Sequence, residues 1–186
     1  MADSTPPQGS QVRLDNWIVL LDPAWQSDDP DAKPPPRAIA GGWPLGEEGK
    51  AGPFQPNPDF APVDGTIPTD PTDAVLRLVS KGEVSAEHLV SQIRDAVLEI
   101  AVDEDDHLLV GPAPDGVPCV AVTTAPAHKA RVTAPRWRPV TGDRLPEVVP
   151  DDVDVLLNPD GPAAFRLRTD ALRGSRPDAT QPPTRR

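Results

Sequence analysis

SAEHLVSQIRDAVLEI, residues 85–100, sets Leu89, Ile93, Ala96, Val97 and Ile100 at helical spacing behind Ser85, with Glu87 in the first turn. The stretch predicts an amphipathic helix of about four turns with one buried face. From Asp103 onward the pattern changes to short apolar runs punctuated by turn residues, the signature of strands. His107-Leu108-Leu109-Val110 and Val117-Pro118-Cys119-Val120-Ala121-Val122-Thr123 flank Gly111-Pro112-Ala113-Pro114-Asp115-Gly116 as an antiparallel pair. Trp137-Arg138-Pro139-Val140, Leu145-Pro146-Glu147-Val148-Val149, Val153-Asp154-Val155-Leu156-Leu157 and Ala163-Ala164-Phe165-Arg166-Leu167 follow, the last two joined by the turn Asn158-Pro159-Asp160-Gly161-Pro162. A helix with one apolar face beside such strands gives an α+β fold, a small and mostly antiparallel sheet covered by one long and one short helix.

The short helix comes just before. Thr69 or Asp70 caps it, Pro71 suits its first turn, Asp73 lies near its positive end, and Gly82 stops it after Ala74-Val75-Leu76 and Leu78-Val79. Further back, Trp17-Ile18-Val19-Leu20-Leu21 reads as a buried strand halted by Asp22-Pro23. Ala38-Ile39-Ala40-Gly41-Gly42-Trp43 and Ala51-Gly52-Pro53-Phe54-Gln55 flank a glycine-containing polar gap at 46–50, a hairpin pattern. Residues 26–37 are too polar and proline-broken for a regular element, Pro34-Pro35-Pro36 reads as a polyproline II connector, and the prolines of 55–62 bar a central strand there. The organisation expected is a disordered tail over 1–12, a strand, hairpin and irregular proline-rich region over 13–67, an α+β domain over 68–172, and a disordered basic tail over 173–186.

Composition excludes several functions. The 186 residues carry 18 basic and 29 acidic side chains, a formal charge of −11 that disfavours nucleic acid, because phosphate binding needs clustered Lys and Arg. One cysteine, Cys119, cannot form an internal disulfide or a thiolate metal cluster, which fits a reducing cytoplasm. The N-terminus lacks a positive region followed by an apolar run, and no stretch approaches the roughly 20 apolar residues of a spanning helix. Neither export nor membrane insertion is expected.

Candidate chemistry is sparse. Cys119 with His128 invites a thiol-nucleophile reading, but alternation places Cys119, Ala121 and Thr123 on one strand face, small enough to pack. Asp103-Glu104-Asp105-Asp106 could face a hard cation, yet it lacks the alternating spacing and glycine of a calcium loop and reads as a solvated turn. His88, His107 and His128 are widely separated, and no phosphate loop, dinucleotide fingerprint or nucleophile elbow is present. No metal, cofactor or catalytic constellation is therefore expected. Trp25, Trp43, Phe54 and Phe60 stand in proline-rich surroundings, where they either pin loops onto the sheet or form a docking patch for a partner.

Several segments are familiar as a set: WIVLLDPAW (17–25), AIAGGW (38–43), GPFQPNPDF (52–60), PTDPTDAVLRLV (68–79), DGVPCVAVTTAPAH (115–128), WRPVTG (137–142) and DVLLNPDGPAAFRL (154–167). Together they resemble the actinobacterial type VII secretion system-associated protein family, and the chain from about residue 68 is similar to an SseB-like domain. In that domain's Asn-Pro-Gly-Gly-Pro turn, Asp160 stands here at a glycine position, a change that Asp tolerates. The resemblance implies a cytoplasmic, non-enzymatic accessory or adaptor protein, chaperone-like, whose partners are type VII secretion components or substrates. It brings no catalytic residue. No Trp-x-Gly occurs at any of the four tryptophans, so the chain is not of the helical-hairpin substrate class. The contact surface expected is the aromatic region 23–60, with Trp25, Trp43, Phe54 and Phe60 as anchors. A small enzyme using Cys119 or the carboxylates of 103–106 is the alternative, an oligomeric structural protein is a third reading, and the oligomeric state stays open.

Overall fold

Asp15 and Asn16 reverse the chain between β1 (Gln11–Leu14) and β2 (Trp17–Leu21), with Asp15 in the left-handed region at φ 50°. This turn begins the computed structural model, which describes residues 11–29, 32–62 and 64–174. β2 pairs with β3 (Ile39–Pro44) and β3 with β4 (Gln55–Pro56), giving a four-stranded antiparallel sheet in chain order. The hairpin expected across 46–50 is the β3–β4 connection, closed by a bridge between Leu45 and Ala51. The N-terminal region is thus built on a sheet rather than being irregular around one strand and hairpin, because Gln-Val-Arg-Leu supplies an unexpected edge strand. β2 is also less covered than its apolar run predicts: Val19 and Leu21 are buried, and Trp17 is exposed. Pro35 has polyproline II geometry, and a 3₁₀ turn over Pro36–Ala38 leads into β3. Asn57 fastens this connector by donating its Nδ2 to the carbonyls of Pro36 (2.7 Å) and Ile39 (2.8 Å).

α1 (Pro71–Ser80) is capped by Asp70 and ends as expected at Gly82, where the amides of Gly82 and Glu83 bond back to Val79 and Leu78. α2 (Ala86–Arg94) is capped by the Ser85 hydroxyl. It ends two turns earlier than the periodicity predicts, and Val97–Val102 is strand β5. The alternation Leu98, Ile100, Val102 competes with the helical spacing, and burial decides for it: all three are buried in the centre of the second sheet.

That sheet adds β6 (Val110–Pro112), β7 (Pro118–Thr123), β8 (Arg136–Thr141), β9 (Asp154–Leu157) and β10 (Phe165–Leu167) in the order β10-β9-β7-β5-β8, with β6 also on β7. Its pairs are antiparallel except β7 with β9, which run parallel. The link between them contains α3 (Pro126–Lys129), β8 and, after a 3₁₀ turn, α4 (Leu145–Val148). The segment 145–149, grouped with the strands on sequence, is therefore largely this helical turn, begun by Pro146 in its first turn and anchored by fully buried Leu145. The fold is α+β. Its main core joins Leu76 of α1, Leu89 and Ile93 of α2, and Leu98, Ile100, Val120, Val122, Val155 and Leu157 of the sheet.

α5 (Thr169–Gly174) closes the described chain. The tails expected at 1–12 and 173–186 lie outside the described residues except at their inner ends, where Gln11 and Val12 belong to β1 and Arg173 and Gly174 to α5.

Candidate functional site

The start of α1, the turn after β7 and the turn after β9 converge on a buried polar cluster. Asp70 is its hub. Its Oδ1 accepts the amides of Thr72 (2.9 Å) and Asp73 (3.0 Å), and its Oδ2 accepts the hydroxyls of Thr69 (2.7 Å) and Thr124 (2.6 Å). Thr124 Oγ1 in turn accepts the Asn158 Nδ2 (3.0 Å), and Asn158 Oδ1 accepts the Thr124 amide (3.0 Å). Asn158 sits in the left-handed region at φ 45°, as does Asp160 at φ 54° in the same turn. Asp73 accepts the Thr69 amide (3.1 Å) and pairs with Arg77 (2.9 Å). Arg77 also donates to the carbonyls of Gly65, Thr66 and Ile67, so the segment before α1 is held against it.

His128 of α3 completes the cluster, with Nε2 at 2.8 Å from Thr69 Oγ1. The Thr69 proton goes to Asp70, so the hydrogen-bond chain places a proton on His128 Nε2. Burial pushes the His128 pKa down from its ordinary value, opposed by the charges of Asp73 and Asp70. Burial pushes Asp70 up, reinforced by Asp73 and opposed by the hydrogen bonds it accepts. This is not a nucleophile, base and orienting-acid array. His128 Nδ1 has no partner among the described residues, Asp73 Oδ1 approaches the same Nε2 at 3.9 Å, and Thr69 is buried. The cluster works as a clamp that joins α1 to the ends of β7 and β9.

One edge of the clamp is open to a cleft. Asp70 and Thr72 form part of the wall of a recess of about 230 Å³, together with Trp43, Phe54, Gln92 and Asp95. Trp43 and Phe54 meet edge to face, with ring centroids 4.8 Å apart and planes at 64°. The Phe54 ring lies over Gly41, where a Cβ would come within 2.5 Å of its Cζ, so the glycine makes this wall possible.

The comparisons with family models, curated proteins and solved structures match nothing. Among the described residues no helix is long and apolar enough to cross a membrane, and no group of three or more His, Cys, Asp or Glu side chains could hold a metal ion.

Of the aromatic candidates, Trp43 and Phe54 share the cleft, with Trp43 half-buried and Phe54 buried. Phe60 is buried beside a separate cavity of about 80 Å³, among Leu20, Ala40 and Ala74. Trp25 is half-buried in the turn after β2, where its amide bonds to the Asp22 carbonyl (2.9 Å). The four rings therefore form no single patch. Cys119 lies buried on β7, where burial, then the charge of Asp154, pushes its thiol up, and His128 is bonded to Thr69 instead. Asp103 folds the acidic run into a turn by accepting the amides of Asp105 (2.9 Å) and His107 (2.8 Å), while Asp106 pairs with Arg138 (2.7 Å). Sequence reasoning missed Thr124, Asn158, Gln92 and Asp95 as site residues, although Thr124 and Asn158 lie in segments that carry the family resemblance.

Proposed function

We propose that this chain is a cytoplasmic, non-enzymatic accessory or adaptor protein of a type VII secretion system, chaperone-like, which binds other components of that system or its substrates. The resemblance of seven segments spread over residues 17–167 supports the family. The single observation that supports the mode of action is the Trp43–Phe54 cleft. Large rings at the wall of a concavity are the side chains that anchor protein contacts most strongly. In this reading Trp43 is the contact residue, Phe54 fixes its orientation from beneath, and Phe60 supports the same sheet from inside. Trp25, in the turn after β2 and outside this cleft, is a separate, secondary anchor.

Affinity capture from the native cytosol tests the proposal, with the full chain as bait and Trp43→Ala beside it at matched thermal stability. Secretion components or substrates should be retained by the wild type and lost from the variant. Equal retention of those proteins by both baits, or their absence from the wild-type sample, rejects it.

A further inference from the structure

The charge around the Trp43–Phe54 cleft does not balance. Asp70 and Asp95 are the charged side chains in its wall, and both are acidic. Asp70 is 2% exposed and lies beside Asp73, whose charge is matched by Arg77. Burial favours the neutral form of His128, and Arg77 is engaged by Asp73, so the Asp70 carboxylate, which accepts four hydrogen bonds, has donors but no cation of its own against it. Asp95, at the end of α2, is exposed and makes no ion pair among the described residues. Its basic neighbour Arg94 is turned away, donating to the carbonyl of Leu172 (3.5 Å). Gln92, one turn earlier on the same helix, adds a neutral polar residue to the wall.

We infer that the cleft receives an arginine side chain of a partner protein, its guanidinium lying along the Trp43–Phe54 wall and donating to Asp95. Arginine fits better than lysine on two grounds. A planar guanidinium stacks on an aromatic face and pairs with a carboxylate through parallel N–H groups, whereas an ammonium is a strongly hydrated point charge. Asp70 already accepts four hydrogen bonds, so it acts on the cation through its charge, and Asp95 supplies the direct acceptor. The chain's formal charge of −11 favours the approach of a basic segment in the same direction.

The inference rests on the docking role of this cleft and is tested separately from it. N-acetyl-arginine amide and its neutral isostere N-acetyl-citrulline amide are titrated into the labelled full chain, following the indole N–H resonance of Trp43 identified by its loss in Trp43→Phe. The arginine compound should shift that resonance saturably and the citrulline compound should not, and Asp95→Asn should weaken binding about fivefold without changing the melting temperature. No shift with arginine, an equal shift with citrulline, or full-strength binding to Asp95→Asn overturns the cationic ligand, whatever the capture experiment gives. Saturable arginine binding beside Trp43-independent capture would instead remove the docking role and leave the cation site standing.

Discussion

Asp70 carries more than a helix cap. An ordinary N-cap side chain satisfies one or two amides, whereas here the same carboxylate also takes two hydroxyl protons from Thr69 and Thr124. Asp70→Ala leaves those donors without an acceptor in a buried site, so we expect a loss of about 3 kcal/mol, read as a lower urea midpoint at unchanged slope. Asp70→Asn keeps an acceptor for the amides and should cost less than half of that. His128 gives the cluster a pH dependence with a definite sign. Its folded-state pKa lies below the ordinary value of 6.5, so as pH falls past that value the unfolded chain takes up the proton first. His128 therefore contributes its full stabilisation above 6.5 and loses it progressively down to the folded pKa. Asp70 acts oppositely, because its raised pKa makes the folded chain bind the proton first as pH falls towards 3.8. Below 6.5 we expect the slope of stability against pH to be less positive in His128→Gln, whose amide can still donate to Thr69, than in the wild type; parallel slopes would contradict the assignment. On sequence, Asp70 was legible as a cap because its partners Thr72 and Asp73 are local. Its link to Thr124, 54 positions away, was not.

At the scale of elements, the stretch 85–100 shows where periodicity stops deciding. Ala96, Val97 and Ile100 continue the helical spacing of Leu89 and Ile93, while Leu98, Ile100 and Val102 satisfy a strand equally well. β-branched content favours the strand, and so does the pairing available on both sides: β8 along the whole of β5, and β7 at Glu99 and Ile100. Gly142 shows how tightly the resulting joint is made. It begins the 3₁₀ turn after β8, and a Cβ there would lie 1.8 Å from the Ile93 carbonyl oxygen of α2. Backbone must move to admit it, so we expect Gly142→Ala to cost about 3 kcal/mol or to prevent soluble expression, and a melting temperature within a degree or two of wild type would contradict the packing. The start of α1, its stop at Gly82 and the β3–β4 hairpin were all legible because each rests on local turn and capping chemistry. The early end of α2 was not, since neighbouring strands decide it.

Across the whole molecule, a chain of net charge −11 carries an aromatic-walled recess, lined also by Asp70 and Asp95, where the N-terminal sheet meets α1, α2 and the ends of β5 and β7. If the recess serves a basic partner, association should be electrostatically steered and therefore sensitive to salt. We expect capture by the wild-type chain to weaken at least several-fold between about 0.1 and 0.5 M sodium chloride, and salt-independent retention would point to a purely apolar contact. By itself the sequence determined the α+β class, the acidic balance, the capped start of α1 and the turns, because these follow from composition and from residues within a few positions of one another. Only the tertiary structure decided that Phe60 is core, that Trp43 and Phe54 share a cleft with Asp70, and that β7 and β9 run parallel. The reason is physical: burial, pairing direction and the meeting of distant side chains depend on how elements pack, and a local pattern is compatible with more than one packing.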